Sequence, residues 1–96
     1  MELLPTSQIN ENLSKLSDWN LEDNGQSIIK RFQFEDFKEA VDFINKIAKI
    51  AEQDGHHPDI KLYDYNNLEI KLTTHSAHGL TKKDFDVALR IDALKK

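Results

Sequence analysis

The side chains here that can do chemistry near neutral pH are four histidines and a few well-placed carboxylates, because the chain has no cysteine. His56 and His57 are adjacent and stand directly before Pro58, while His75 and His78 follow further along. Neutral and protonated imidazoles respectively take and give a proton without large pKa tuning, so two or more of them meeting at one place suit an elimination of water. A metal site is the competing reading, and His75 and His78, three residues apart, could assist one. Against it, adjacent histidines seldom ligate the same ion, no thiolate is present and no well-spaced carboxylate completes a ligand set. Asp84 stands three residues after Thr81, the spacing of a helix capping box, and a cap of that kind is worth about 1 kcal/mol. Glu52 sits where a carboxylate opposes the dipole of a helix that ends nearby, so contact with His56 or with another partner explains its position better than helix stability does.

Composition narrows the setting. A chain of 96 residues with 39% hydrophobic and 31% charged residues is expected to bury one modest core and form a single domain over 1–96. The missing cysteines fit a reducing compartment. The first seven residues have neither a basic start nor a long apolar run, so a cytoplasmic location without membrane attachment is expected. A formal net charge of -4, with the basic residues scattered, argues against direct nucleic-acid binding.

The elements that must position these residues are legible from hydrophobic period. Thr6 or Ser7 can cap a first helix with Ile9, Leu13 and Leu16 on one face, ending near Ser17 and Asp18. Trp19 and Leu21 alternate with polar neighbours, Asp23-Asn24-Gly25 is a turn signal, and residues 28–34 are β-branched and aromatic, which predicts a hairpin. Asp36 with Glu39 predicts the start of a second helix carrying Phe37, Ala40, Val41, Ile44, Ile47, Ala48 and Ala51 on one face. Gly55 suits the left-handed position past its end, and Pro58 stops continuation, so His56 and His57 leave the helix on a connection. Ile60 and Leu62, then Leu68, Ile70 and Leu72, predict a second hairpin with Asn66-Asn67 near its tip. Thr81 and Asp84 begin a last helix with Phe85, Ala88, Leu89 and Asp92 along it and Val87, Ile91 and Leu94 beside. The expected fold is α+β: a four-stranded antiparallel sheet with three helices on one face, in the order α-β-β-α-β-β-α.

Pairing Ile60 with Leu72 and Leu62 with Ile70 keeps the apolar residues of the second hairpin on one face, and the same register sets His57 opposite His75. It also sets Lys61 against Lys71, an unfavourable like-charge pair. Alternation back from Leu72 places Glu69, Lys71, Thr73 and His75 on the accessible face, where core packing gives no reason for an imidazole.

Glu52, His56-His57-Pro58, Tyr65, Thr74-His75, Gly79-Leu80-Thr81 and Asp84 together resemble the signature of the pterin-4a-carbinolamine dehydratases, and the likeness runs from about Trp19 through the last helix. The resemblance implies the helix and strand order already drawn. It also implies dehydration of 4a-hydroxytetrahydropterin to quinonoid dihydropterin in the recycling of tetrahydrobiopterin, with a pterin substrate, no cofactor and no metal. It implies His56, His57 and His75 as the catalytic set and Glu52, Pro58, Thr74 and Asp84 as substrate-binding or supporting residues. Several features depart from the pattern: Gly55 stands where many relatives carry an acidic residue, Ile60 where many carry an aromatic one, and the stretch from Pro58 to His75 takes the longer of the family's spacings. His78 also replaces a small residue.

Vertebrate relatives additionally serve as a dimerisation cofactor of a homeodomain transcription factor. A protein-interaction module without essential catalysis is therefore the alternative function; Phe43 and Ile50 on the second helix could serve self-association or a partner, although extra core contact is the simpler reading. A homodimer or homotetramer, formed through that helix or a free sheet edge, is expected in either case.

Overall fold

The computed structural model describes residues 2–94, in the order α1 (Thr6–Leu13), β1 (Asn20–Leu21), β2 (Ile28–Gln33), α2 (Phe37–Asp54), β3 (Asp59–Tyr63), β4 (Asn67–Leu72), a short 3-10 turn (His75–Ala77) and α3 (Lys82–Asp92). Three helices and one open four-stranded antiparallel sheet result, as the hydrophobic pattern predicts. The strand order is β1-β2-β4-β3, so each hairpin contributes one central and one edge strand and the two hairpins join along β2 and β4.

One face of the sheet is apolar. Ile28, Leu68, Ile70 and Leu72 are fully buried and share a cluster with Ile9 of α1, Ala40, Phe43 and Ile47 of α2, and Phe85, Ala88 and Ile91 of α3. Phe32, Phe34 and Phe43 pack ring against ring with centroids 5.0 to 6.1 Å apart, fastening α2 to the end of β2. Asp92 at the end of α3 accepts hydrogen bonds from the backbone N–H of Ser17 (2.9 Å), Trp19 Nε1 (2.8 Å) and Lys30 Nζ (2.9 Å), which ties the last helix to the first hairpin.

Several expectations are corrected. Thr6 and Ser7 do not cap α1; Pro5 holds that position, and its carbonyl accepts from Gln8 and Ile9 N–H. α1 ends at Leu13, and Leu16 reaches the core from the following turns. Phe37 and Leu89 are 51% and 44% exposed. The first hairpin keeps only two residues of β1 in the sheet. Phe43 and Ile50 belong to the core, 2% and 6% exposed, the simpler of the two readings weighed for them.

The register of the second hairpin also differs. Ile60 pairs with Ile70 and Leu62 with Leu68, two residues along from the expected match, and the tip falls on residues 64–66. A shift of two keeps every side chain on its face, so apolar alternation cannot distinguish the two registers. Charge does distinguish them: the observed pairs set Asp59 opposite Lys71 and Lys61 opposite Glu69, removing the Lys61–Lys71 conflict. His57 is consequently not opposite His75.

Candidate functional site

α2 delivers the first part of the site. The Asp36 carboxylate accepts the Glu39 N–H (2.8 Å) and starts the helix, and Gly55 ends it in the left-handed conformation with φ 63°. That reversal turns the chain out of the helix, with His56 N–H donating back to the Ala51 carbonyl (3.2 Å). Pro58 then holds the preceding residue extended and leads into β3.

α3 delivers the second part. Thr81 and Asp84 form the predicted capping box, each side chain accepting from the other's backbone N–H. The Asp84 carboxylate is fully buried. Its Oδ2 accepts from Thr81 N–H (2.9 Å) and from the Thr74 hydroxyl (2.8 Å), and its Oδ1 lies 2.6 Å from His56 Nε2. Because the Thr74 proton is committed to Asp84, the 2.8 Å contact between the Thr74 and Thr81 hydroxyls is donated by Thr81. Capping is therefore only half of what Asp84 does.

A carboxylate only accepts, so the Nε2 of His56 carries the proton in this bond and Nδ1 is left as the basic nitrogen of the neutral ring. His57 repeats the arrangement at the surface, with Nε2 on the Glu52 carboxylate. Neither Nδ1 has a protein partner among the described residues. The two settings differ in burial: the His56 side chain is 11% exposed, that of His57 60%. Glu52 was expected to reach His56 or another partner, and it is His57 that it meets.

His75 opens the 3-10 turn on the accessible side of the sheet, as alternation from Leu72 predicts. Thr74 is held beside it by hydrogen bonds with Gly79, N–H to carbonyl at 2.9 Å, which close the turn. His56 and His75 are thus connected through Thr74 and Asp84, rather than His57 and His75 through the strand register. His75 and His78 line a polar cavity of about 230 Å³ together with Asp59, Lys71 and Thr73. His56 opens on a different cavity, also about 230 Å³, between Asp54, Lys83, Asp86 and Val87.

Asp59 is the wall residue that sequence reading passed over. Lys71 and Thr73 were legible as facing the same way as His75, and Asp59 shares that face in either register; the observed one sets it directly opposite Lys71. The Lys71 ammonium pairs with Glu22 at 3.0 Å, and this bond raises the lysine pKa above its ordinary value. Glu22 is lowered in turn, first by the Ser27 hydroxyl bond and then by Lys71. Among the described residues no group of three or more His, Asp or Glu side chains is arranged to hold a metal ion, and no helix is long and apolar enough to cross a membrane.

Comparison with known proteins places the chain as a whole. A protein of Trichormus variabilis named "Putative pterin-4-alpha-carbinolamine dehydratase" is 47% identical over 93 residues, covering 97% of each chain. One of the same name from Sulfurisphaera tokodaii is 46% identical over 94 residues, covering 98% of each. Among solved structures, the transcriptional coactivator/pterin dehydratase of Brucella melitensis superposes with a TM-score of 0.89 at 35% identity, over 96% of this chain and 97% of that one. A pterin dehydratase-like protein identified as a RuBisCO assembly factor in the alpha-carboxysome shares the fold, with a TM-score of 0.67 at 24% identity over 80% of this chain and 88% of that one. Residues 2–94 match the family described as pterin 4 alpha carbinolamine dehydratase, and the chain belongs to that family.

Proposed function

We propose that this protein dehydrates 4a-hydroxytetrahydropterins to the quinonoid dihydropterin and water by histidine acid-base catalysis, within pterin cofactor recycling. The observation that carries the reading is the pair of successive imidazoles, His56 and His57, each with Nε2 on its own carboxylate and Nδ1 turned away from it. A carboxylate behind an imidazole fixes its tautomer and orientation and stabilises the protonated ring.

The reaction breaks the bond between C4a and the hydroxyl oxygen, which leaves as water after receiving a proton. Loss of the N5 proton supplies the electron pair for the new C4a–N5 double bond. One group must give a proton and another must take one, and no oxidant is consumed. The exposed imidazoles of His57 and His75 are suited to these transfers, while His56, held by buried Asp84, orients the ring. Pro58 and Thr74 support the arrangement, the first by fixing the exit from α2 and the second by linking the turn of His75 to Asp84.

The test is the rate at which purified protein removes a 4a-hydroxytetrahydropterin. His57→Ala and His75→Ala are each expected to lower it about a hundredfold or more. Full activity in both variants, or no acceleration by the unmodified protein, overturns the proposal. The alternative role as a partner-binding module loses its proposed apolar stripe, because Phe43 and Ile50 are buried in the core.

A further inference from the structure

Asp59 and Lys71 are directly opposed across β3 and β4, and both line the cavity that His75 and His78 close at its other end. Residues opposed in this way stand about 5 Å apart at Cβ, the scale of one edge of a six-membered ring with its substituents. The polar groups around them are largely spent. The Thr73 hydroxyl donates to the Gln26 carbonyl (2.6 Å), the Ser27 hydroxyl to Glu22 (2.5 Å), and the Asn24 side-chain oxygen accepts from Gln26 N–H (2.9 Å). Lys71 uses one of its three donors on Glu22. The Asp59 carboxylate is exposed and has no hydrogen bond or ion pair among the described residues. Lys71 has turned towards Glu22, leaving an unpaired carboxylate beside an ammonium with donors to spare.

We infer that Asp59 and Lys71 form the recognition subsite for the 2-amino-4-oxopyrimidine edge of the substrate. This inference rests on the dehydratase reading and adds to it the end of the cavity that selects the ligand. That edge presents two adjacent donors, the 2-amino group and N3–H, followed by one acceptor, the 4-oxo group. A carboxylate accepts the two donors through its two oxygens, and an ammonium beside it donates to the oxo group. The same orientation sends the rest of the bicyclic ring along the cavity towards His75. A volume of about 230 Å³ is below the usual range for drug-sized ligands, so the cavity suits one ring edge with the remainder of the ligand open to solvent. Sites built to hydrogen-bond a polar group reject analogues that lack it, which makes the 2-amino group the feature to vary.

The test measures binding of 6-methylpterin and 6-methyllumazine by quenching of ligand fluorescence, in the full chain and in Asp59→Asn and Lys71→Met. Lumazine carries an oxo group in place of the 2-amino group and places an acceptor against the carboxylate. The unmodified protein is expected to prefer the pterin by about tenfold or more, and Asp59→Asn to weaken pterin binding about tenfold and erase the preference. In turnover, Asp59→Asn is expected to act on KM more than on kcat, and Lys71→Met to weaken both ligands. Pterin affinity, preference and KM unchanged in Asp59→Asn, with normal turnover by the unmodified protein, overturn this subsite and leave the dehydratase reading standing. No binding and no turnover by the unmodified protein overturn both.

Discussion

Asp84 starts α3 with one carboxylate oxygen and holds His56 with the other, 2.6 Å from its Nε2, so helix capping and imidazole orientation depend on a single buried side chain. Asp84→Asn keeps the size of the group but presents neither the charge nor two equivalent acceptors. Its dehydration rate is expected to fall about tenfold or more, because the amide no longer stabilises the protonated imidazole or fixes its tautomer. Asp84→Ala additionally removes the cap and leaves the Thr74 hydroxyl without its acceptor, with an expected loss of about 2–4 kcal/mol. Urea denaturation followed beside the rate separates the two effects. An Asn variant with normal activity would contradict the orienting role.

Asp92 has a structural counterpart of that task. Its carboxylate serves the Ser17 N–H, the Trp19 indole and the Lys30 ammonium, with both side chains of the ion pair 13% exposed. Asp92→Ala strands the Lys30 charge and is expected to cost about 3 kcal/mol. Trp19 is the sole tryptophan, so its fluorescence reports the loss directly. Asp92→Asn can still accept from the indole and should lie between the two. Unchanged stability in the Ala variant would show that water replaces all three bonds.

The Glu22 carboxyl supplies a prediction with a sign. Its pKa is lowered by the hydrogen bond from the Ser27 hydroxyl and by the hydrogen bond and charge of Lys71, whose own pKa is raised. The carboxylate's contribution to stability is present above its unfolded pKa and is lost as pH falls through the lowered folded value. The contribution of Lys71 is present below the unfolded lysine pKa and is lost as pH rises through the raised one. Ser27→Ala and Lys71→Met should therefore each move the Glu22 midpoint upward, read by NMR of the side-chain carboxyl. The pair is exposed to solvent, so the accompanying stability change should stay under about 1 kcal/mol. A Glu22 midpoint unchanged in both variants would show that neither contact holds the carboxylate.

Much of this architecture was legible in the sequence, for reasons that also explain the misses. Asp36 with Glu39, Gly55, and Thr81 with Asp84 mark helix ends by local chemistry, and each takes the position its spacing predicts. α1 begins one residue early because the Pro5 carbonyl, not a side chain, receives the first turn. The β3–β4 register escaped because alternation defines only which face a residue occupies, while Asp59–Lys71 and Lys61–Glu69 select among equivalent slides. The accessible placement of His75 was legible from alternation alone. The bond from His56 to Asp84 spans 28 residues and exists only once α3 packs beside the end of α2, so no local pattern could have revealed it. Leu89 and Phe37 fit the helical stripes by type yet stay largely exposed, since a hydrophobic residue at the margin of a stripe need not be covered.

The strand order has a kinetic consequence. Both hairpins close over short loops, and their pairing can begin within each half of the chain. The β2–β4 ladder instead joins Ile28 to Leu72 and Gln33 to Asn67, segments separated by the whole of α2 and β3. Loop-closure entropy must be overcome before those non-local contacts form, which makes this seam the step on which the folding rate depends most. Truncating Leu72 or Ile28 should slow folding, whereas comparable losses in α1 should mainly speed unfolding.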